Sequence, residues 1–80
     1  MYLEDFFIVF PEGDTQEVPG RLRMNQLVDV NGKPLHLPLP TNKMIAFRVA
    51  KIQTKEQKGS SETYHFLELL SAMDLLEYCE

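Results

Sequence analysis

Residues 31–40 have the sequence NGKPLHLPLP, and this stretch is the strongest local indication of how the chain folds. Asn31-Gly32 between two runs of alternating apolar residues predicts a β-hairpin, because both central residues of a type I′ turn need positive φ. With a two-residue turn, Val30 pairs with Lys33 at the start of the hairpin. The register then continues through the pairs Val28–Leu35, Gln26–Leu37 and Met24–Leu39.

The prolines of this stretch fit the same hairpin. Pro34, Pro38 and Pro40 all occupy even positions, where the backbone nitrogen points away from the partner strand. Proline has no N–H donor, so within a sheet it is tolerated on an edge strand. The sequence therefore predicts a first arm over residues 21–30 and an edge strand over residues 35–39.

The N-terminal residues 2–10 are rich in aromatic and β-branched side chains, which predicts a strand. Their second half, FFIVF, is apolar on both faces, so both sides of this strand should be covered. Closure of a small barrel, a covering helix or a dimer interface could each provide that cover. Residues 11–17 combine a Pro-Glu-Gly-Asp turn with further acidic residues and predict a solvated loop.

A further strand is predicted over residues 44–54. Phe47 and Val49 share one face, but Ile52 falls on the other, and a bulge near Ala50 would restore the alternation. The polar residues 54–62 that follow predict a mobile hairpin tip.

The C-terminal quarter has two interpretations. Residues 64–67 predict a strand that returns along the previous one, followed by a helix from Ser71, with Asp74 completing a partial capping box. The alternative is a single helix from about Ser61, because later apolar residues also keep helical spacing. The first interpretation is favoured, since Thr-Tyr-His-Phe is a poor opening for a helix.

Together these elements predict a mainly β (α+β) fold. It has about five antiparallel strands in a curved sheet or small barrel, with a C-terminal helix. A chain of 80 residues is expected to form a single domain, residues 1–80, with a small core.

Composition and charge limit the classes of partner. Hydrophobic residues make up 44% and charged residues 25%, which is typical of a globular rather than a disordered chain. No apolar run approaches the roughly 20 residues of a membrane span, and the acidic first residues differ from a basic signal peptide. The single cysteine, Cys79, suits a reducing compartment, so a cytoplasmic location is expected. The net charge of −4 disfavours general binding to nucleic acid.

The residue patterns of common catalytic and metal sites are missing from the sequence. His36, His65 and Cys79 lack the short pairwise spacing of a zinc site. Cys79 also has no cation beside it in sequence to stabilise a thiolate. We therefore expect no metal, no cofactor and no enzymatic activity.

The sequence favours a non-catalytic, cytoplasmic protein-interaction or regulatory module that binds a protein partner or forms a homodimer. Its N-terminal strand and Leu-rich C-terminus hold many large apolar groups for one sheet. The residues expected to bind the partner are Phe6, Phe7, Phe10, Leu69, Leu75, Leu76 and Tyr78. The alternative is a small barrel that binds RNA or a nucleotide through a basic stripe, provided that the sheet aligns Arg23 with Arg48. That stripe would consist of Arg21, Arg23, Arg48 and Lys51.

Overall fold

The structure, a computed structural model, describes residues 2–79 and contains one mixed sheet curled into a half-barrel. The sheet order is β2-β1-β5-β4-β3, and β1 runs parallel to β5 while the other neighbours are antiparallel. The mainly β fold with a C-terminal helix is therefore confirmed, with one parallel ladder among the antiparallel ones. The elements are β1 (Leu3–Val9), β2 (Thr15–Val18), β3 (Leu27–Val28), β4 (Phe47–Gln57), β5 (Ser60–Leu69) and α1 (Ala72–Leu76).

The β4–β5 hairpin forms the centre of the sheet. Its side chains alternate along β5 between buried and half-buried positions, as expected for a strand with one face on a core. The predicted bulge is confirmed, because the register shifts between Val49 and Lys51. Residues 60–69 form a strand, so the single-helix alternative is wrong. The polar tip is shorter than predicted, because pairing continues to Gln57 and Ser60.

The C-terminal helix α1 is short and starts where the capping pattern predicts. Ser71 accepts a hydrogen bond from the Asp74 N–H, and the Asp74 carboxylate accepts one from the Ser71 N–H. This reciprocal capping box satisfies two backbone donors at the start of the helix.

The turn at Asn31-Gly32 differs from the prediction by one residue. The Gly32 N–H donates to the Asp29 carbonyl (3.0 Å), and the Asp29 N–H donates to the Lys33 carbonyl (2.9 Å). The loop thus has three residues, with positive φ at Gly32 (80°) and not at Asn31. Such a turn with a bulge is the next commonest hairpin connection after the two-residue turns. As a result, Val28 lies opposite Pro34 rather than Leu35.

Both predicted arms of this hairpin are shorter than expected. The first is a strand only over β3, and the second pairs at Pro34 and then leaves the sheet. The Leu35 N–H still donates to the Leu27 carbonyl (2.9 Å), but the Leu39 N–H donates to the Tyr78 carbonyl (2.7 Å). The prediction of an edge strand over residues 35–39 is therefore wrong, because this segment pairs with the C-terminus instead.

The strand β2 lies within residues predicted to be a loop. It pairs with β1 from Phe6↔Val18 to Val9↔Thr15 and forms one edge of the sheet. Only Val18 of its four residues is buried. Polar and charged side chains are common on edge strands, where they oppose pairing with other chains, and this polarity made β2 resemble a loop.

The sheet has apolar cores on both faces. The inner face, which carries Ile8, Val49 and Leu67, packs against Leu22 and Val28. Near the end of β5, α1 and the segment around Leu39 pack on the outer face. This outer cluster consists of Leu27, Leu39, Ala46, Leu70 and Leu75.

Candidate binding face

The remainder of the outer face carries a group of aromatic side chains. In the parallel β1–β5 ladder, Phe7 is paired with Tyr64 and Val9 with Phe66. Paired residues on neighbouring strands point to the same face, so these four side chains form one surface. We call Phe7, Val9, Tyr64 and Phe66 the aromatic face; all four are half-buried.

Two rings of the aromatic face are held against each other. The ring centroids of Phe7 and Tyr64 are 5.1 Å apart and their planes differ by 17°, so the rings are stacked. Such a pair contributes roughly 0.5–1.5 kcal/mol beyond its buried area. The contact fixes the rings on β1 and β5 relative to each other, so the apolar surface is ordered without a ligand.

Lysines from β4 lie above these rings. The Lys51 Nζ is 5.7 Å from the centroid of Phe66, and the Lys55 Nζ is 5.4 Å from the centroid of Tyr64. Within residues 2–79, the only ion pair with a nitrogen–oxygen distance of 4 Å or less joins Arg48 to Glu68, so neither lysine forms one. Each lysine ammonium group therefore makes a cation–π contact with a ring rather than an ion pair with a carboxylate.

A shallow groove of about 280 Å³ runs along this surface. Its walls combine the rings of Tyr64 and Phe66 with the polar groups of Gln53 and Thr15. The groove thus offers apolar contact together with hydrogen-bonding groups, the combination found in many binding sites.

The charges of the outer face are arranged by strand. Lys51 and Lys55 lie on β4, on one side of the aromatic face, and Glu17 lies on β2, on the other side. Glu17 is paired with Phe7 and so shares the outer face. The aromatic face is therefore bordered by basic side chains on β4 and by Glu17 on β2, and the paired residues Asp5 and Glu62 place two further carboxylates at its end.

An ion pair separates the aromatic face from the outer core. The Arg48 guanidinium donates to the Glu68 carboxylate and, at 3.0 Å, to the Tyr78 hydroxyl. The hydrogen bond to Tyr78, and then the one to Glu68, raise the pKa of Arg48 above its ordinary value. The guanidinium thus connects β4, β5 and the residues after α1.

A family model described as "Uncharacterised Treponema protein" matches residues 2–78. The chain belongs to this family. No curated protein and no solved structure matches the chain. Within residues 2–79, no helix has the length and apolar character to cross a membrane.

The structure brings two of the four residues of the predicted basic stripe together, because Arg48 and Lys51 lie opposite Glu68 and Phe66, neighbouring positions on the outer face of β5. Arg48 is paired with Glu68, and its strand partner on β3 is Leu27, so the alignment of Arg23 with Arg48 is wrong. The Arg21 guanidinium lies 5.7 Å from the centroid of the Phe6 ring, a ring packed against the inner core. Lys51 is the member that reaches the aromatic face.

The residues predicted to bind a partner lie in several places. Phe7 belongs to the aromatic face, whereas Phe6 and Phe10 pack against the inner core. Leu75 is fully buried in the outer core, and Tyr78 packs beside it. Leu69 and Leu76 are exposed, at 60% and 51%.

Tyr64, Phe66 and Lys55 are not predicted from the sequence as members of one surface. Each strand alone shows which side chains share a face, because residues 64 and 66 lie between buried residues of β5 and residues 51 and 55 lie on one face of β4. Their meeting with Phe7 depends on the parallel β1–β5 ladder. A contact across more than fifty residues has no local signature.

The histidines and the cysteine do not form a metal site. Among the described residues 2–79, no three His, Cys, Asp or Glu side chains lie close enough to hold a metal ion. His65 is fully buried, and both of its ring nitrogens have backbone partners. Cys79 packs beside the outer core.

A second concavity, of about 360 Å³, lies between β2 and the turn at Gly32. Its lining includes Arg21 and Lys33, together with the apolar side chains of Val18, Leu22 and Pro34. This pocket differs from the groove on the aromatic face because no aromatic ring lines it.

Proposed function

We propose that this protein is a non-catalytic interaction module that binds its partner through the aromatic face. The observation that carries the proposal is that the two faces of β1 are buried to different extents. Its inner side chain Ile8 is fully buried in the core, whereas its outer side chains Phe7 and Val9 are half-buried, and Val9 lines an open groove. A strand that is apolar on both faces is usually covered on both.

The composition of this surface supports the same proposal. Aromatic residues are enriched at the centres of protein interfaces, and polar side chains form the rims. Here the rings of Phe7, Tyr64 and Phe66 are central, with Lys51 and Glu17 on either side. Because the rings are already in contact with each other, binding requires little further ordering of side chains.

The proposal extends to a regulatory role in the cytoplasm. The single cysteine suits a reducing compartment. The imidazole of His65, the side chain most suited to proton transfer at neutral pH, is engaged by Leu22 and Phe7 within the core. The first feature agrees with a cytoplasmic location, and the second with binding rather than catalysis as the activity of the chain.

Site-specific photo-cross-linking in cells tests the proposed surface. A benzoylphenylalanine at Gln53, which lines the groove, is expected to form a cross-linked protein adduct on irradiation. The same residue at Lys43, an exposed loop position, is the matched control and is expected to give little adduct. Equal cross-linking at both positions, or none from Gln53, would contradict the proposal.

A second candidate function is binding of single-stranded RNA or a nucleotide at the same face. The observation in its favour is that Lys51 and Lys55 lie above aromatic rings, since bases stack on rings and phosphates attract lysines. Binding of a fluorescent oligouridylate at low salt, weakened steeply by added salt, would support it. No binding at low salt would exclude it.

A further inference from the structure

We infer that the concavity between β2 and the turn at Gly32 binds a small carboxylate with an apolar body. This concavity, of about 360 Å³, is called the turn pocket. Among residues 2–79, none lines both the turn pocket and the groove on the aromatic face. The inference therefore goes beyond the proposed function and does not depend on it.

The walls of the turn pocket are mostly apolar. Val18 and Leu22, each 6% exposed, belong to the inner core and form the walls together with Pro19 and Pro34. Sites for small molecules typically have volumes of roughly 300–1,000 Å³, apolar walls and a few polar groups that orient the ligand. The turn pocket has this size and this character, so its ligand has an apolar body.

Hydrogen bonds hold the walls in place without a ligand. The Gln16 Nε2 donates to the Asn31 carbonyl (2.9 Å), which joins β2 to the turn on the opposite wall. The Leu22 N–H donates to the His65 Nε2 (3.0 Å), which holds the segment after β2 on the inner face. Because both walls are already ordered, binding requires little further ordering of the chain.

Two cations border the turn pocket, Arg21 and Lys33. The Arg21 guanidinium lies 5.7 Å from the centroid of the Phe6 ring. Within the described residues 2–79, neither Arg21 nor Lys33 forms an ion pair at 4 Å or less. Guanidinium and ammonium groups only donate hydrogen bonds, and a guanidinium can donate two parallel bonds to one carboxylate. An anionic head group therefore suits this pocket.

The nearest carboxylates do not replace that head group. Glu17 borders the turn pocket along β2, but it is paired with Phe7, so its side chain lies on the outer face of the sheet. Asp29 lies outside the lining, and its carboxylate accepts hydrogen bonds from the N–H groups of Asn31 and Lys33. The charged side chains on the pocket side of the sheet are thus those of Arg21 and Lys33.

The lining also favours an aliphatic carboxylate over a nucleotide. Among the residues 2–79 that line the turn pocket, none is aromatic, so a base would have no ring on which to stack. Aliphatic walls such as those of Leu22 and Pro34 instead suit a hydrocarbon chain, whose burial is favourable in proportion to its area.

Nuclear magnetic resonance titration of the full chain with octanoate tests the inference. Octanoate has about ten non-hydrogen atoms and is expected to bind with a Kd of about 1 mM or lower. The chemical shift changes are expected at residues 18–22 and 31–34. Octan-1-ol and octylamine have the same chain with a neutral and a cationic head. Both are expected to bind at least about tenfold more weakly, because they lack the charge that Arg21 and Lys33 recognise.

Substitution of the two cations tests their role. Arg21→Gln/Lys33→Gln is expected to weaken octanoate binding at least about tenfold and to leave the weak binding of octan-1-ol unchanged. Lys43→Gln/Lys58→Gln, at exposed positions outside the lining, changes the net charge by the same amount and is expected to leave octanoate binding unchanged. Circular dichroism establishes that each variant is folded. If the first variant does not fold, Lys33→Gln alone replaces it and is expected to weaken octanoate binding at least about threefold.

Four results would overturn the inference. The first is the absence of shift changes at residues 18–22 and 31–34 at about 10 mM octanoate, well above the expected Kd. The second is equal affinity for octanoate and octan-1-ol, which would show that the head group is not recognised. The third is a set of shift changes centred on Tyr64 and Phe66, which would place octanoate on the aromatic face. The fourth is equal weakening by the pocket variant and its control, which would show an effect of net charge alone.

Discussion

Gly32 lies directly against the side chain of Ile8. A Cβ added at Gly32 would be 2.7 Å from the Ile8 Cδ1 and 3.2 Å from the Val18 Cγ1, and the φ of this residue is +80°. The turn at residues 29–33 therefore packs on the inner core through a position that requires glycine for two reasons: its backbone conformation and its lack of a side chain.

Gly32→Ala is expected to be much more destabilising than Gly59→Ala. Gly59 has a similar φ (+83°), but an added Cβ there meets no atom within 4 Å, so it measures the backbone cost alone. We expect about 1–2 kcal/mol for Gly59→Ala from the left-handed backbone. Gly32→Ala is expected to cost about 1–3 kcal/mol more, because the methyl group overpacks the core. Urea unfolding of the two variants measures the difference.

A second substitution tests the cause of that difference. Ile8→Val removes the Cδ1 that the new methyl group would meet. Gly32→Ala is therefore expected to cost less in an Ile8→Val background than in the wild type, while Gly59→Ala costs the same in both. Equal costs for Gly32→Ala in the two backgrounds would show that the contact with Ile8 is not the cause.

His65 connects two segments that pack on the inner face. The Leu22 N–H donates to the His65 Nε2 (3.0 Å), so the His65 Nδ1 carries the proton and donates to the Phe7 carbonyl (2.9 Å). His65→Leu is expected to lower the free energy of unfolding by about 2–3 kcal/mol, because the Leu22 N–H would be buried without an acceptor.

The exposed His36 provides the matched control. His36→Leu is expected to change the free energy of unfolding by less than about 0.5 kcal/mol. The ring ¹⁵N chemical shifts of His65 are expected to report a neutral imidazole with its proton on Nδ1. A proton on Nε2 would mean that the bond from Leu22 is absent, and the predicted cost of His65→Leu would then have no basis.

Those parts of the fold that rest on local chemistry could be predicted from the sequence. The capping box of Ser71 and Asp74 and the bulge after Val49 both appear in the structure as expected. The sequence predicts the position of the turn at Asn31-Gly32 correctly, but with a loop one residue shorter than in the structure. The Asp29 carboxylate explains the longer loop. It accepts hydrogen bonds from the N–H groups of Asn31 (2.8 Å) and Lys33 (3.0 Å), which favours the three-residue loop.

Non-local pairing could not be predicted in the same way. The parallel ladder between β1 and β5 joins the two ends of the chain, and neither strand contains a signal for the other. The aromatic face depends on this ladder, because it unites Phe7 with Tyr64. The sequence did show that β1 is apolar on both faces, but not which side of it the chain itself would cover.

Tyr78→Phe is expected to lower the free energy of unfolding by about 0.5–1 kcal/mol, the usual net contribution of one partly exposed hydrogen bond. The change removes the hydroxyl that accepts a hydrogen bond from Arg48 and leaves the ring in place beside the outer core. Tyr2→Phe, at an exposed ring, is the control and is expected to have no measurable effect. Thermal and urea unfolding measure both variants, and equal effects would argue against a structural role for the Arg48–Tyr78 bond.

The capping box makes stability depend on pH in the acidic range. Hydrogen bonds from the Ser71 N–H and hydroxyl hold the pKa of Asp74 below its ordinary value of 3.8. A carboxylate with a lowered folded-state pKa stabilises the protein fully above the unfolded-state pKa, and this contribution is lost as the pH falls through the folded-state pKa.

The wild type is therefore expected to exceed Asp74→Asn in stability at neutral pH, with the difference decreasing below about pH 4. Urea unfolding over this range measures the difference, and Ser71→Ala, which removes one of the two donors, is expected to reduce it. A difference that stays constant down to strongly acidic pH would show that the charge of Asp74 does not contribute to the cap.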